Sequence, residues 1–248
     1  MMPPCAEICS KLHIYERSYL RYTKCIRRGI ELLVSNRPEE VVRQVLLYFL
    51  VHESGLFPDI IDVSAEQDNL DIAIYRRSTE TDFRPSQAPL AIVEVKREQV
   101  NLVDHEAQLF QYMKQNRAKT GILFNGNEIL TYEGEPGGII KEQSLASLND
   151  LRVFLLQRAE DQEQADLFAF KQAQEGNVEN FIYLANKYGK YAVHKFKFVL
   201  NSSPDPIVGC FFRAKGNTIY YQHYGMYSKK REWTFNRTEF DRLLSLVY

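Results

Sequence analysis

The chain has 248 residues, 45% hydrophobic and 25% charged, so it is long enough to bury a core and is neither a disordered tail, a fibre nor a disulfide scaffold. Its net charge of −1 gives no overall basic field; from residue 190 to 248, however, ten Lys and Arg stand against four Asp and Glu. The opening lacks a signal peptide's basic start and apolar run, no stretch approaches the ~18 apolar residues of a membrane span, and Cys5, Cys9, Cys25 and Cys210 form no CxxC pair, so a cytoplasmic chain with reduced thiols is expected.

Cys5, Cys9 and His13 recur every four residues and would share a helix face, as packing residues or as metal ligands. From Ile14 to Leu33, apolar residues among Arg, Lys and Tyr predict an amphipathic helix, so the first domain has a helical lead-in. Pro38 suits the first turn of a second helix, where Val42, Val45, Leu46 and Phe49 fall at i, i+3, i+4 and i+7 and which Gly55 ends. Three strand-like runs follow, DIIDVSAE, LDIAIYR and PLAIVEVK, the last two joined by a long polar connection, RRSTETDFRPSQAP. A helix over 102–116 comes next, and then GILFNGNEILTYE, where Asn125-Gly126 between apolar runs predicts a hairpin. Beyond Gly138 the pattern turns helical. A boundary near residue 160 separates domain 1–160 from 161–248, a helical connector and a small C-terminal β-rich module built from KFKFVL, IVGCFF and TIYYQHYGMY and closed by the helix TEFDRLLSLVY.

The chemistry concentrates in PLAIVEVKRE. Leu90 to Val93 form an unbroken apolar run, as in a central strand covered on both faces. Glu94 and Lys96 continue it, and strand alternation puts both on one face. Charges at the end of a core strand need partners or a metal. Asp71 begins the preceding strand, and because sequential strands tend to pair, its carboxylate can lie beside Glu94. Two converging carboxylates are tolerable around a divalent cation, and oxygen donors suit magnesium or manganese. The bland alternative is an ion pair at a sheet edge. Glu39 and Glu40 in the first turn of the second helix read equally as complements to its dipole, and Gln108 and Tyr112 share a helix face at i and i+4. His52, His105, His194 and His223 show no paired spacing and read as ordinary core or surface residues. The C-terminal module interleaves Lys195, Lys197, Arg213 and Lys229–Arg231 with aromatics, a mixture fit for nucleic acid or for the module's own core.

Taken in order, PEEVVRQVLLYFL, LDIAIY, LAIVEVKRE, QLFQY and GILFNGNEILTY resemble the nuclease domain at the N-terminus of type I restriction enzyme R subunits, a branch of the PD-(D/E)XK superfamily, over roughly residues 38–132. The resemblance implies an α/β fold, a restriction-endonuclease-like mixed β-sheet flanked by helices. It implies Asp71 and Glu94 as ligands of Mg2+ or Mn2+, Lys96 as the catalytic lysine, and Glu40, or else Glu39, as a helix-borne acid holding metal or water. Gln108 and Tyr112 would orient the lysine or the DNA backbone. Leu70 stands where the motif's name has Pro, which leaves the carboxylate in place. No GxxxxGK[ST] loop occurs, so no ATP-driven motor is expected in this chain. The expected function is metal-dependent endonucleolytic hydrolysis of DNA, with pairing of two copies left open; the alternative is a catalytically inactive nucleic-acid-binding or interaction protein of the same fold.

Overall fold

The computed structural model describes residues 1–67, 70–77, 89–134, 138, 140–174 and 180, and beyond them three strands. Two compact units are present, one of Met1–Arg77 with Pro89–Ala159 and a second that takes in the chain from Glu160. The first unit opens with helix α1 (Pro3–Lys11) and a three-stranded antiparallel sheet of β1 (Ile14–Arg17), β2 (Leu20–Lys24) and β3 (Glu31–Leu33). That sheet replaces the helix expected over Ile14–Leu33. Its first turn is only two residues long, because Arg17 pairs with Leu20, and Ser18 and Tyr19 take positive φ of 52° and 65° to make it. The expected shared face of Cys5, Cys9 and His13 also fails: α1 ends at Lys11 and Leu12 is already extended. Cys5 is buried in the core instead.

Helix α2 (Pro38–Tyr48) starts on Pro38, whose missing N–H loses nothing in a first turn, and runs into a π-helical turn at Phe49–Glu53 before Gly55 at φ +68°. A six-stranded sheet follows in spatial order β4 (Ile61–Gln67), β5 (Leu70–Arg76), β6 (Ala91–Val95), β7 (Thr120–Phe124), β8 (Ile129–Gly134), β9 (Ile140–Leu145). Every pairing is antiparallel except β6–β7, where a 3-10 turn (Leu102–His105) and α3 (Glu106–Asn116) make the crossover that parallel neighbours need. All residues of β6 and β7 are buried, as expected of central strands covered on both sides. The hairpin at Asn125-Gly126 forms, with Gly126 at φ +86°.

Strand β9 was not expected, since the text beyond Gly138 reads as helix. Helix α4 (Leu148–Gln174) begins later, where the Ser147 hydroxyl accepts the Asp150 N–H and donates to the Asp150 carboxylate. On one face of the sheet Ile8, Val42, Leu46, Leu151 and Leu155 pack on Ile61, Val63, Ile72, Ile74 and Val93. On the other, Leu109 and Met113 of α3 pack on Ala73, Ile92 and Leu123. The fold is thus a mixed sheet flanked by helices.

In the second unit β10 (Cys210–Lys215), β11 (Thr218–His223) and β12 (Trp233–Asn236) form an antiparallel sheet. The KFKFVL run, the closing helix, His194 and most of the RRSTETDFRPSQAP connection lie outside the described residues. Among the described residues no helix is long and apolar enough to cross a membrane.

Candidate functional site

The site forms where β4 and β6 end and β5 begins, between α2 and α3. Lys96 follows β6 directly, and its backbone N–H donates to the Phe124 carbonyl at 2.8 Å, which carries the pairing with β7 one residue further. Its Nζ donates to Glu94 Oε1 at 2.7 Å and to Gln108 Oε1 at 3.2 Å. Gln108 Nε2 in turn donates to the Tyr112 hydroxyl at 3.2 Å. Helix α3 lies close enough for this because Gly121 of β7 faces it: a Cβ there would stand 2.4 Å from Met113 Sδ and 2.9 Å from Leu109 Cδ2. The i, i+4 pair on α3 therefore reads the lysine, as its spacing allowed.

The acids assemble across three strands. Ile72 pairs with Val93, so the next step outward sets Asp71 opposite Glu94. Between the pairs Ala65 with Ile72 and Gln67 with Leu70, Glu66 falls opposite Asp71, at a positive φ of 49°. Asp71 Oδ2 accepts the Val95 N–H at 2.7 Å, and Oδ1 accepts Arg43 Nη2 of α2, also at 2.7 Å. Arg43 Nη1 reaches Glu40 Oε2 at 2.5 Å and Glu66 Oε1 at 2.8 Å. The other oxygen of Glu40 accepts Gln44 Nε2 at 2.8 Å, and Gln44 Oε1 accepts the Ile26 N–H at 2.8 Å, tying α2 to the N-terminal sheet.

Burial sets the electrostatics. It pushes the Glu94 carboxyl above its ordinary pKa, the Asp71 charge adds to the rise, and Lys96 and Arg43 pull it back in part. Burial likewise pushes Glu40 up, against the charge of Arg43. For Arg43 burial opposes the charged form, but Asp71, Glu40 and Glu66 outweigh it and hold its pKa above the usual arginine range. A guanidinium thus joins three carboxylates in a space of low dielectric.

Asp71, Glu94, Lys96, Gln108 and Tyr112 are therefore brought together, whereas Glu40 reaches Asp71 only through Arg43. Glu39, the alternative acid, has no part in this network among the described contacts. The donor set suits a hard cation. Asp71 and Glu94 are oxygen donors whose mutual repulsion raises the pKa of Glu94, the condition a divalent ion relieves. Among the described residues no group of three or more His, Cys, Asp or Glu has the geometry to hold a metal. Magnesium needs no such cage, since it is bound through one or two carboxylates while keeping waters and taking substrate phosphate. The Cys5, Cys9 and His13 alternative falls with the same observation.

Arg43 and Glu66 are the site residues that sequence reasoning missed. An arginine on an amphipathic helix reads as a solvated face, yet Arg43 is buried. Two signals could have found them: the i, i+3 spacing of Glu40 and Arg43, and the position of Glu66 near a strand end, five residues before Asp71, where pairing of sequential strands sets the two opposite each other. His105 also approaches the site. Its pKa is lowered by burial first and by the Lys96 charge second.

Residues 38–151 match the family described as the type I restriction enzyme R protein N terminus. The matched segment holds Glu40, Arg43, Glu66, Asp71, Glu94, Lys96, Gln108 and Tyr112, and its similarity to part of a restriction enzyme suggests a nuclease-related role. No curated protein and no solved structure matches the chain.

Proposed function

We propose that this protein is a metal-dependent endonuclease of the PD-(D/E)XK type that hydrolyses DNA phosphodiester bonds. One observation carries the reading: Asp71 and Glu94 lie side by side on neighbouring strands with Lys96 Nζ 2.7 Å from Glu94 Oε1. Asp71 and Glu94 would hold Mg2+ or Mn2+. When bound, such an ion polarises a phosphoryl oxygen and lowers the pKa of a coordinated water. Lys96 places its ammonium where negative charge grows in the transition state, and Gln108, steadied by Tyr112, fixes that ammonium. Glu40 and Arg43 act through Asp71, holding its carboxylate in position.

The test is nicking of supercoiled plasmid by the full chain with Mn2+, repeated with Lys96→Ala. Lysine-dependent nicking supports the enzyme; intact plasmid in both reactions removes it. A specific observation favours a second reading, a non-cutting nucleic-acid-binding relative: Arg43 already supplies a cation to Asp71. Titration calorimetry of Mn2+ against the wild type and Asp71→Ala separates the two, because a binder of this kind gives equal heats.

A further inference from the structure

The acid cluster opens on one side into a cavity of about 340 Å3 lined by Arg27, Arg28, Val63, Ser64, Ala65 and Glu66. Glu66 belongs to both, facing Arg43 with one oxygen and Arg28 with the other, at 2.8 and 2.5 Å. The cavity wall is built to present donors. Arg27 is fixed by Nε on the Val63 carbonyl at 2.6 Å, by Nη2 on Asp62 at 3.1 Å, and by its guanidinium lying 4.8 Å from the centre of the Phe57 ring. A guanidinium carries five N–H donors, and these contacts leave several on both arginines for a further acceptor. The negative groups facing the cavity are Glu66 and, beside Arg27, Asp62, each already paired with arginine.

The element that delivers the two arginines has the character of a nucleic-acid surface. Residues 14–37 carry six Lys and Arg against Glu16 and Glu31, in a chain whose net charge is −1. One of those two acids is occupied, since Arg17 bridges Glu31 at 2.5 Å and the Tyr15 hydroxyl donates to it. At the tip of the β1–β2 hairpin Tyr19 is 96% exposed, on a left-handed backbone that a non-glycine residue adopts only at a cost. An aromatic ring held out this way suits stacking on a base. This segment precedes the family-matched residues 38–151, so the similarity does not supply it.

We infer that Arg27 and Arg28 form a phosphate-binding subsite that holds the backbone of a nucleic-acid strand one step from the acid cluster. The inference rests on the nuclease reading for its substrate class but is tested without cleavage. Arginine forks match two phosphate oxygens. Capture of a phosphate draws Arg28 off Glu66, whose charge Arg43 still meets.

The experiment is fluorescence anisotropy of the full chain with a labelled 20-nucleotide DNA, single-stranded and duplex, in Ca2+ so that no cleavage intervenes, over a range of salt. Arg28→Ala and Arg28→Glu are compared with wild type after circular dichroism shows all three folded. The expected result is a loss of about tenfold or more in affinity for Arg28→Ala, larger for Arg28→Glu, with a salt dependence shallower by about one unit. Affinity and slope within twofold of wild type overturn the subsite, as does displacement of the DNA by submillimolar inorganic phosphate, which reassigns it to the free anion. Failure of the wild type to bind either DNA also overturns it. Binding that depends on Arg28 without plasmid nicking leaves the subsite standing and removes the nuclease reading. Nicking that is indifferent to Arg28 does the reverse.

Discussion

Replacing Arg43 with methionine keeps an unbranched, largely apolar stem and removes the guanidinium and its charge. The Arg43 side chain is 10% exposed, and its guanidinium bonds Glu40, Asp71 and Glu66 at 2.5, 2.7 and 2.8 Å. Removing one partner from a buried ionic network costs about 3–5 kcal/mol, because what remains is a set of uncompensated charges. In a domain of this size each kcal/mol moves Tm by about 2–4 °C, so the variant is expected to melt some 6–20 °C below wild type in EDTA. Glu40 relieves part of this by taking a proton, since burial already raises its pKa, so the deficit is smaller at pH 5 than at pH 8. If Asp71 and Glu94 take Mn2+, the ion replaces part of the missing charge and raises Tm more in the variant than in wild type. Thermal melts followed by circular dichroism, in EDTA and in Mn2+ at both pH values, measure all of this. A Tm in EDTA within about 2 °C of wild type, below the change 1 kcal/mol produces, would refute the account of Arg43 as the cation of the acid cluster.

Three further outcomes follow from the same contacts. Gly121→Val overpacks the α3–β7 contact at a cost of about 1–3 kcal/mol, lowering the urea midpoint, and it lifts Gln108 from Lys96, so nicking falls while DNA affinity in Ca2+ holds. The carboxyl of Glu94 has its folded pKa above the ordinary 4.5, so its share of stability is full below that value and is lost as pH rises through the folded pKa. Protons compete with the ion in the same window, so Mn2+ affinity measured by calorimetry rises with pH there and is lost in Glu94→Gln, whose metal-free fold stays at least as stable. Burial pushes the Cys5 thiol up to about 12, so brief native alkylation at pH 8 followed by mass spectrometry labels the half-buried Cys9 ahead of Cys5, and the reverse order would contradict the packing of α1.

What could be read in the sequence is what short-range rules govern. The run Leu90–Val93, Pro38 at a helix start and Asn125-Gly126 between apolar segments each obey a local preference, and each is found in place. The grouping of Asp71, Glu94 and Lys96 is legible for the same reason, since strand alternation and pairing of sequential strands need no long-range knowledge. The segment Ile14–Leu33 misled because its turn uses Ser18-Tyr19, which carries none of the Asn or Gly that marks a two-residue hairpin. Strand β9, IKEQSL, is a polar edge strand with little apolar alternation to announce it.

Arg43 and Glu66 stayed hidden because their meaning is tertiary, and their charges bear on how the site would work. Glu40, Glu66, Asp71 and Glu94 face Arg43, Lys96 and the partly exposed Arg28, so the cluster holds one more negative charge than positive. Burial first, and neighbouring carboxylates second, raise the pKa of Glu40 and Glu94, so a proton on either offsets that excess. If Arg28 turns to a backbone phosphate, as proposed, the excess grows to two, the charge of a single divalent ion. Strand binding at the Arg27–Arg28 cavity and ion binding at Asp71 and Glu94 would then favour each other, since linkage makes the coupling reciprocal. Ca2+ should accordingly tighten DNA binding in wild type and lose much of that effect in Arg28→Ala; equal enhancement in both would show that the two sites are independent.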